Sequence, residues 1–342
     1  MKQPYKTDIS VLMLFFNRPE SLRQVFNEVK KARPARLFLY QDGPRTGDKY
    51  NKDMEGIMAC RSIVEDIDWD CEVHTNYQEQ NYGCDPSGYL SHTWAFSLTD
   101  KCIVLEDDVV PSQSFFTFCK EMLDRYEHDE RITMVSGFNI DEVTTDINDD
   151  YFFTSTFSIW GWASWKRVVS KWDGGYSFTQ NDQCMRQIEA LVRNRRYRND
   201  FMRMLNSHSS SGKQYFESIF WSHMLMNNGL AIMPKRNMIN NVGASDESTH
   251  YSELRSLPRA LRRIFTMKRY DFTPPIRHPE YVIDHVAYKE RLYRTNAWGH
   301  PWIKIGRSLE ELVLNIRYGN TQHITQSIKK RIMKWCGTYR HS

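Results

Sequence analysis

Three carboxylates stand side by side at Glu106, Asp107 and Asp108, directly after the apolar run Cys102–Leu105 and directly before Val109 and Val110. Adjacent negative charges repel, and a buried carboxylate is costly without a partner, so the triplet asks for a cation. Helix capping or surface ion pairing would account for one such residue, because acidic side chains favour helix N-termini and PSQSFFTFCKEML follows. Three in succession after a buried strand are a stronger demand. Successive side chains on an extended segment point to opposite faces, so a turn must re-aim the last if two are to face one site. A hard divalent cation, Mn²⁺ or Mg²⁺, suits such oxygen donors, and Mg²⁺ commonly takes one or two carboxylates together with substrate phosphates. A cation there would neutralise a diphosphate as it leaves.

The elements that must position these residues alternate. DISVLMLFFN (8–17) is an apolar run of strand length. Pro19 then opens ESLRQVFNEVKKA, with Leu22, Val25, Phe26 and Val29 at helical spacing. ARLFLYQDGP (35–44) reads as a second strand closed by the turn Asp42-Gly43-Pro44, and MEGIMACRSIVEDI as a helix. CEVHTNYQ (71–78), GYLSHTWAFSLT (88–99) and CIVLEDD continue as strand, helix and strand. Such alternation predicts an α/β fold with right-handed crossovers and a mainly parallel, Rossmann-like sheet. Ligands bind such sheets at the carboxyl ends of the strands. The predicted ends are Phe16-Asn17-Arg18, Gln41-Asp42-Gly43, Asn81-Tyr82-Gly83-Cys84 and Glu106–Asp108, which should converge on one edge. Neither a GxGxxG nor a GxxxxGK[ST] fingerprint is present.

The 342 residues allow two domains, or one large domain with an extension. Composition and a mean hydropathy of −0.64 are those of a soluble globular chain. MKQPYKTDIS has no apolar signal region, and seven scattered cysteines show no paired spacing, so a reducing, cytoplasmic protein is expected. Residues 1–131 and 132–251 read as two halves of one domain, and 252–342 as a basic, partly helical extension. The extension holds the net charge: 301–342 carry +6, leaving −2 for the rest of a chain whose total is +4.

The residues also carry a resemblance. VLEDDVVPSQSFFTF resembles the acidic metal motif of GT-A-fold glycosyltransferases. More closely, it is similar to the Glu-Asp-Asp signature of N-acetylglucosaminyltransferase I and of the bacterial hemolytic-protein HlpA-like glycosyltransferase group. VLMLFFNRPESL resembles that group's opening strand and Asn-Arg-Pro turn, LFLYQDGPR its second strand, and NYGCDPSG its Asn-x-Gly-Cys loop. FSIWGWASWKR resembles its Trp-Gly-Trp-Ala segment, INNVGASDESTH its Asn-x-Gly…Thr-His ending, and PPIRHPEYVI its tail. The matches run in order over about residues 8–285, with a departure at Asp85, where a basic or small residue is expected.

The resemblance implies a GT-A-like fold and a UDP-sugar donor, with 1–131 as the nucleotide-sugar-binding half and 132–251 as the acceptor-binding and catalytic half. Asp42 would accept from the uracil N3–H, and Asn17 and Arg18 would lie by the base or phosphates. Ser91, with His92 as the weaker choice, would face the ribose. Asp107 would approach the ribose, Asp108 would bind the metal, and Glu106 would support both. His250 would contact the metal or diphosphate. An inverting transferase also needs a base. YFESIFW (215–221) occupies the comparable place, so Glu217 is expected, with Ser218 where a second acid might stand and Asp173 and Asp246 in reserve. Trp160, Trp162 and Trp165 fit either a core or a sugar-stacking acceptor wall.

Two basic stretches, LRSLPRALRRIF (254–265) and QHITQSIKKRIMKWC, read as solvated helix faces or as attachment to an anionic membrane on the inner face of the plasma membrane. No nucleic-acid recognition motif accompanies them. The leading expectation is a metal-dependent inverting glycosyltransferase acting on a glycan or lipid-linked saccharide in bacterial surface polysaccharide or lipopolysaccharide assembly. A sugar nucleotidyltransferase ranks below it, because FFNRPESL lacks the Gly-rich, basic loop such enzymes carry after the first strand. A non-enzymatic binding or membrane-active protein leaves the triplet unexplained.

Overall fold

The computed structural model describes residues 2–243 and 254–319. Its first half follows the predicted alternation: β1 (Thr7–Phe15), α1 (Pro19–Ala32), β2 (Pro34–Gln41), α2 (Tyr50–Val64), β3 (Glu72–Tyr77), α3 (Cys84–Leu98) and β4 (Lys101–Glu106). After these come β5 (Val109–Pro111), α4 (Gln113–Arg125), β6 (Ile132–Ser136), β7 (Tyr151–Thr154), β8 (Trp162–Trp165) and α5 (Lys166–Val169). The remainder is α6 (Asp182–Leu191), α7 (Arg195–Ser210), α8 (Phe216–Met226), β9 (Leu230–Pro234), β10 (Ile239–Asn241), α9 (Arg259–Ile264), α10 (Val286–Thr295) and α11 (Pro301–Arg317).

Eight strands form one sheet in the order β3-β2-β1-β4-β8-β6-β9-β7. β1, β2, β3 and β4 are mutually parallel, and β6 and β9 run the same way. Only β8 and β7 run against them, so the sheet is mainly parallel, as the alternation predicts. Right-handed crossovers carry α1 and α2 over one face and α3 over the other, because the chain reverses its direction of travel at β3. Each of these helices must therefore turn an apolar face to the sheet. On α1 the buried residues are Leu22, Val25, Phe26, Val29 and Ala32, each of the larger ones contributing about 1.5–3 kcal/mol on full burial.

Register fixes where the loops emerge. Leu14 lies opposite Glu106 and Phe15 opposite Gln41, which in turn pairs with Tyr77. The four polar strand ends therefore open onto one edge. β10 pairs antiparallel with β5 through Asn241 and Val109, so the Asn-x-Gly segment reaches the triplet from the far half of the chain.

Trp162 and Trp165 are fully buried core residues of β8, whereas Trp160 is half-buried against Phe138 and Phe265. Gly161, between Trp160 and Trp162, has φ +64°, and a Cβ there would meet Ile239 Cδ1 at 2.5 Å. The close approach that this glycine serves is thus to β10. Residues 284–293 pack into the sheet's second half. The hydroxyl of fully buried Tyr288 accepts from the Ile140 N–H at 3.3 Å, and Arg291 bridges Asp141 and Asp146. No helix among the described residues is long and apolar enough to cross a membrane.

Candidate active site

Glu106 closes β4, and the turn after it aims Asp107 and Asp108 at Arg18, which follows β1. The guanidinium donates to Asp108 Oδ2 at 3.0 Å and, closer still, to Asp107 Oδ1. Asp107 Oδ2 also accepts from the Phe16 N–H at 3.2 Å. The cation that the triplet requires is thus partly supplied from within the chain. Burial opposes the Arg18 charge, but Asp107 and Asp108 more than offset it and hold its pKa above the ordinary value. Burial likewise pushes Asp107 up to about 6 against the pull of Arg18. Glu106 has no hydrogen-bond donor among the described residues. Its carboxyl is raised well above the usual range by burial first, then by Asp108, Glu217 and Asp107.

Glu217 comes to the same place from α8, 111 residues after Glu106 in sequence. Gly88 on α3 makes room: a Cβ there would meet Phe216 Cδ1 at 2.6 Å, so the first turn of α8 lies directly on α3. Ser218 is fully buried, within reach of the Tyr176 hydroxyl at 2.8 Å and His208 Nδ1 at 3.0 Å. These bonds, with the His208–Tyr215 ring stack at 3.9 Å, fix the turn that carries Glu217. Burial, with a further push from Asp85, raises the Glu217 carboxyl to about 7. Glu217, Glu106, Asp107 and Asp85 also surround Cys84, whose thiol is pushed up by burial and then by those four charges.

The second loop is built on Asp42. Its Oδ1 accepts from the Gly43 and Tyr82 N–H groups, and its Oδ2 from Asn81 Nδ2 and the Gly83 N–H, all at 2.9 Å. A carboxylate offers about four acceptor positions. Asp42 therefore ties the 42–43 turn to the 81–83 loop, and its oxygens are taken up in doing so rather than free for a uracil N3–H. Asn17 is likewise engaged, donating to Asp53 Oδ1 at 2.8 Å.

Ser91 differs from the expectation. It has no exposed surface, and its hydroxyl donates to the Gly88 carbonyl at 2.9 Å, so it offers nothing to a ribose. The cause is helix phase: the face of α3 that carries Ser91 and His92 looks into the core. His92 sits among Trp162, Trp172 and Phe216, and burial lowers its pKa to about 3. Asp173 caps its own turn through Ser177 and the Gly175 and Phe178 N–H groups. His250 and Asp246 lie outside the described residues.

Two positions at this edge were not singled out by sequence reasoning. Asp53 is fully buried inside α2 and receives Arg45 through two side-chain bonds of 2.7 and 2.8 Å as well as the Arg45 N–H. Asn241 reaches Asp108 Oδ1 at 3.4 Å, while the Val242 N–H donates to the Asp108 carbonyl at 2.8 Å. The first is a charge in the first turn of a helix, which periodicity alone reads as solvated. The second was visible as part of INNVG, without a partner assigned.

Among the described residues no three His, Cys, Asp or Glu side chains are arranged around one point as a metal cage. The donor set nonetheless fits a hard cation, which needs only one or two carboxylates beside substrate phosphates. Glu106 and Asp108 are oxygen donors, and a single Arg18 faces the negative charge of Glu106, Asp107 and Asp108.

No protein-family profile and no curated protein matches this chain. Distant likenesses to solved structures exist. One is the inositol-1-phosphate CTP transferase from T. maritima, with TM-score 0.38 and 9% identity over 76% of this chain and 96% of that chain. Another is mouse xyloside xylosyltransferase 1, with TM-score 0.33 and 8% identity over 64% and 82%. A third is UDP-glucose pyrophosphorylase complexed with UDP-glucose, with TM-score 0.29 and 10% identity over 50% and 82%. At such scores they carry no functional weight.

Proposed function

We propose that this protein is a metal-dependent inverting glycosyltransferase that moves a sugar from a nucleotide donor, UDP-linked by the resemblance, to an acceptor hydroxyl. What carries the reading is a proton acceptor poised near neutrality, Glu217, electrostatically coupled to an acidic, partly unneutralised edge at the carboxyl ends of parallel strands. The sequence resemblance to GT-A-fold enzymes agrees with it.

In the proposed step the acceptor oxygen attacks the anomeric carbon in line. The new C–O bond forms as the bond to the nucleoside diphosphate breaks, and Glu217 takes the hydroxyl proton. A carboxyl with a pKa of about 7 is half ionised at neutral pH, where a general base is most effective. Asp108, aided by Glu106, would hold Mn²⁺ or Mg²⁺, which when bound supplies charge neutralisation to the departing diphosphate. Arg18 offsets the mutual repulsion of Asp107 and Asp108 and keeps a side-chain exposure of 29%, enough to meet a phosphate. Asp42 acts by preorganising the loop on which the donor would rest.

The test is nucleotide release from a panel of UDP- and GDP-sugars with Mn²⁺ or with EDTA. Metal-dependent release of UDP, abolished in Asp108→Ala, supports the proposal. Thermal stabilisation by no nucleotide at all sinks it. Release of pyrophosphate when a sugar phosphate is offered with a nucleoside triphosphate reassigns the site to nucleotidyl transfer.

A further inference from the structure

α11 is mounted the wrong way round for a soluble protein. Trp302, Ile305, Leu309, Leu312, Val313 and Ile316 are between 41% and 78% exposed. At 3.6 residues per turn all six fall within an arc of about 100°, the width of an ordinary core-facing stripe. Here that stripe faces outward, and the opposite, docked side is largely polar. Lys304 Nζ pairs with Asp200 at 2.6 Å, Glu310 accepts from the Arg259 N–H at 2.8 Å, and Arg307 donates to the Thr295 carbonyl. Asn315 is buried on that side, with Ile303 and Leu314 only half-buried beside it.

The charge around the stripe is predominantly positive: α11 carries Lys304, Arg307 and Arg317 against Glu310 and Glu311. Residues 254–270, which meet α11 through Leu254–Ser256 and the Arg259 N–H, carry six Lys or Arg and no Asp or Glu. From residue 312 onward the sequence holds six more basic residues and no acid, and of these Arg317 lies among the described residues. An outward apolar stripe with a tryptophan near one end, set in a basic surround, has the composition of a helix that lies in a membrane interface. A second copy of this chain would bring the same positive surround against itself and be repelled, whereas an anionic bilayer complements it.

We propose that α11 seats the protein on an anionic membrane surface, with Trp302, Leu309 and Val313 entering the headgroup–acyl boundary and Arg255 and Arg259 contacting lipid phosphates. The surface is independent of the donor chemistry proposed above.

The experiment is flotation of the full chain, without nucleotide sugar, with vesicles of phosphatidylcholine alone or mixed with phosphatidylglycerol. The protein should float with the anionic vesicles only, and less at high salt. Leu309→Glu with Val313→Glu should cut the bound fraction about tenfold. Arg255→Ala and Arg259→Ala should each weaken binding about fivefold. All four side chains are on the surface, so unchanged thermal melting would show that the variants remain folded. Failure of the wild type to bind anionic vesicles, or flotation of the Leu309→Glu/Val313→Glu variant at the wild-type level, overturns the proposal. A dimer by light scattering that this variant dissociates would assign the stripe to a second copy. Binding that needs removal of residues 320–342 would assign it to that segment. Either result overturns the membrane assignment, and neither bears on the transferase reading, which is scored by nucleotide release.

Discussion

The acidic edge and α11 break the inside–outside rule in opposite senses. At the edge, charged groups that normally face water are buried together: Asp107 and Asp108 are under 10% exposed. On α11, side chains that normally face the core are turned to solvent. The edge compensates itself in part, through Arg18 and through raised carboxyl pKa values that let protons quench charge. Among the described residues the stripe has no comparable internal remedy, since its polar bonds lie on the docked side. A buried charge excess calls for a small ligand that brings positive charge into a cleft. An exposed apolar stripe calls for an extended apolar surface. The two kinds of misfit thus separate where chemistry is done from where the molecule is held.

The contrast can be broken most directly at Glu217. Glu217→Gln should lower turnover by about 10²–10⁴-fold while nucleotide binding persists, measured as UDP release against equilibrium dialysis. Turnover within a few-fold of wild type would leave the edge with no base. Removing the internal cation comes next. Arg18→Ala should destabilise the fold by about 2–4 kcal/mol in urea titrations at neutral pH, less than for a fully buried pair because Arg18 keeps some water contact. Adding Asp107→Asn should restore part of that loss.

Proton uptake sharpens the comparison further. Glu217 holds its proton up to about pH 7 in the folded protein and releases it near 4.5 when unfolded. Its contribution is therefore fully present below pH 4.5 and is lost as pH rises through 7, so stability falls across that window. Glu217→Gln should flatten the fall and be about 1–3 kcal/mol more stable than wild type at pH 8. The smallest effect belongs to α11. Leu309→Ser and Val313→Ser should each change unfolding free energy by under about 0.5 kcal/mol, because these side chains are already in water. A larger loss would mean that the stripe is covered in the isolated protein.

The first half of the fold was legible because its signals are local. Strand-length apolar runs alternate with helical spacing, and Pro19 and Asp42-Gly43 mark boundaries through backbone preferences that need no distant partner. The convergence of Arg18 and the triplet followed from that order alone. β8 was not legible, since a four-residue strand of WASW reads as an aromatic cluster, and its antiparallel insertion between β4 and β6 depends on partners far away in sequence. Asp42 and Ser91 show a second limit. Residue type and loop position suggested donor contacts, but the four donors on Asp42 and the inward phase of Ser91 are matters of packing. Glu217 was singled out by resemblance to an acidic residue near a helix start, but the burial that raises its pKa, and the seating of α8 on α3 at Gly88, are matters of packing that no spacing rule reveals.

β7 ends the sheet, and an end strand is a template for unwanted pairing. Here the His285 N–H donates to the Phe153 carbonyl at 2.8 Å, and Asp284 binds the Ser155 N–H and hydroxyl. That cover arrives about 130 residues after the strand it protects, so during synthesis the edge stays bare until the chain has grown past it. A chain ending before Asp284 would keep Tyr151–Thr154 open permanently, and light scattering should register its aggregation.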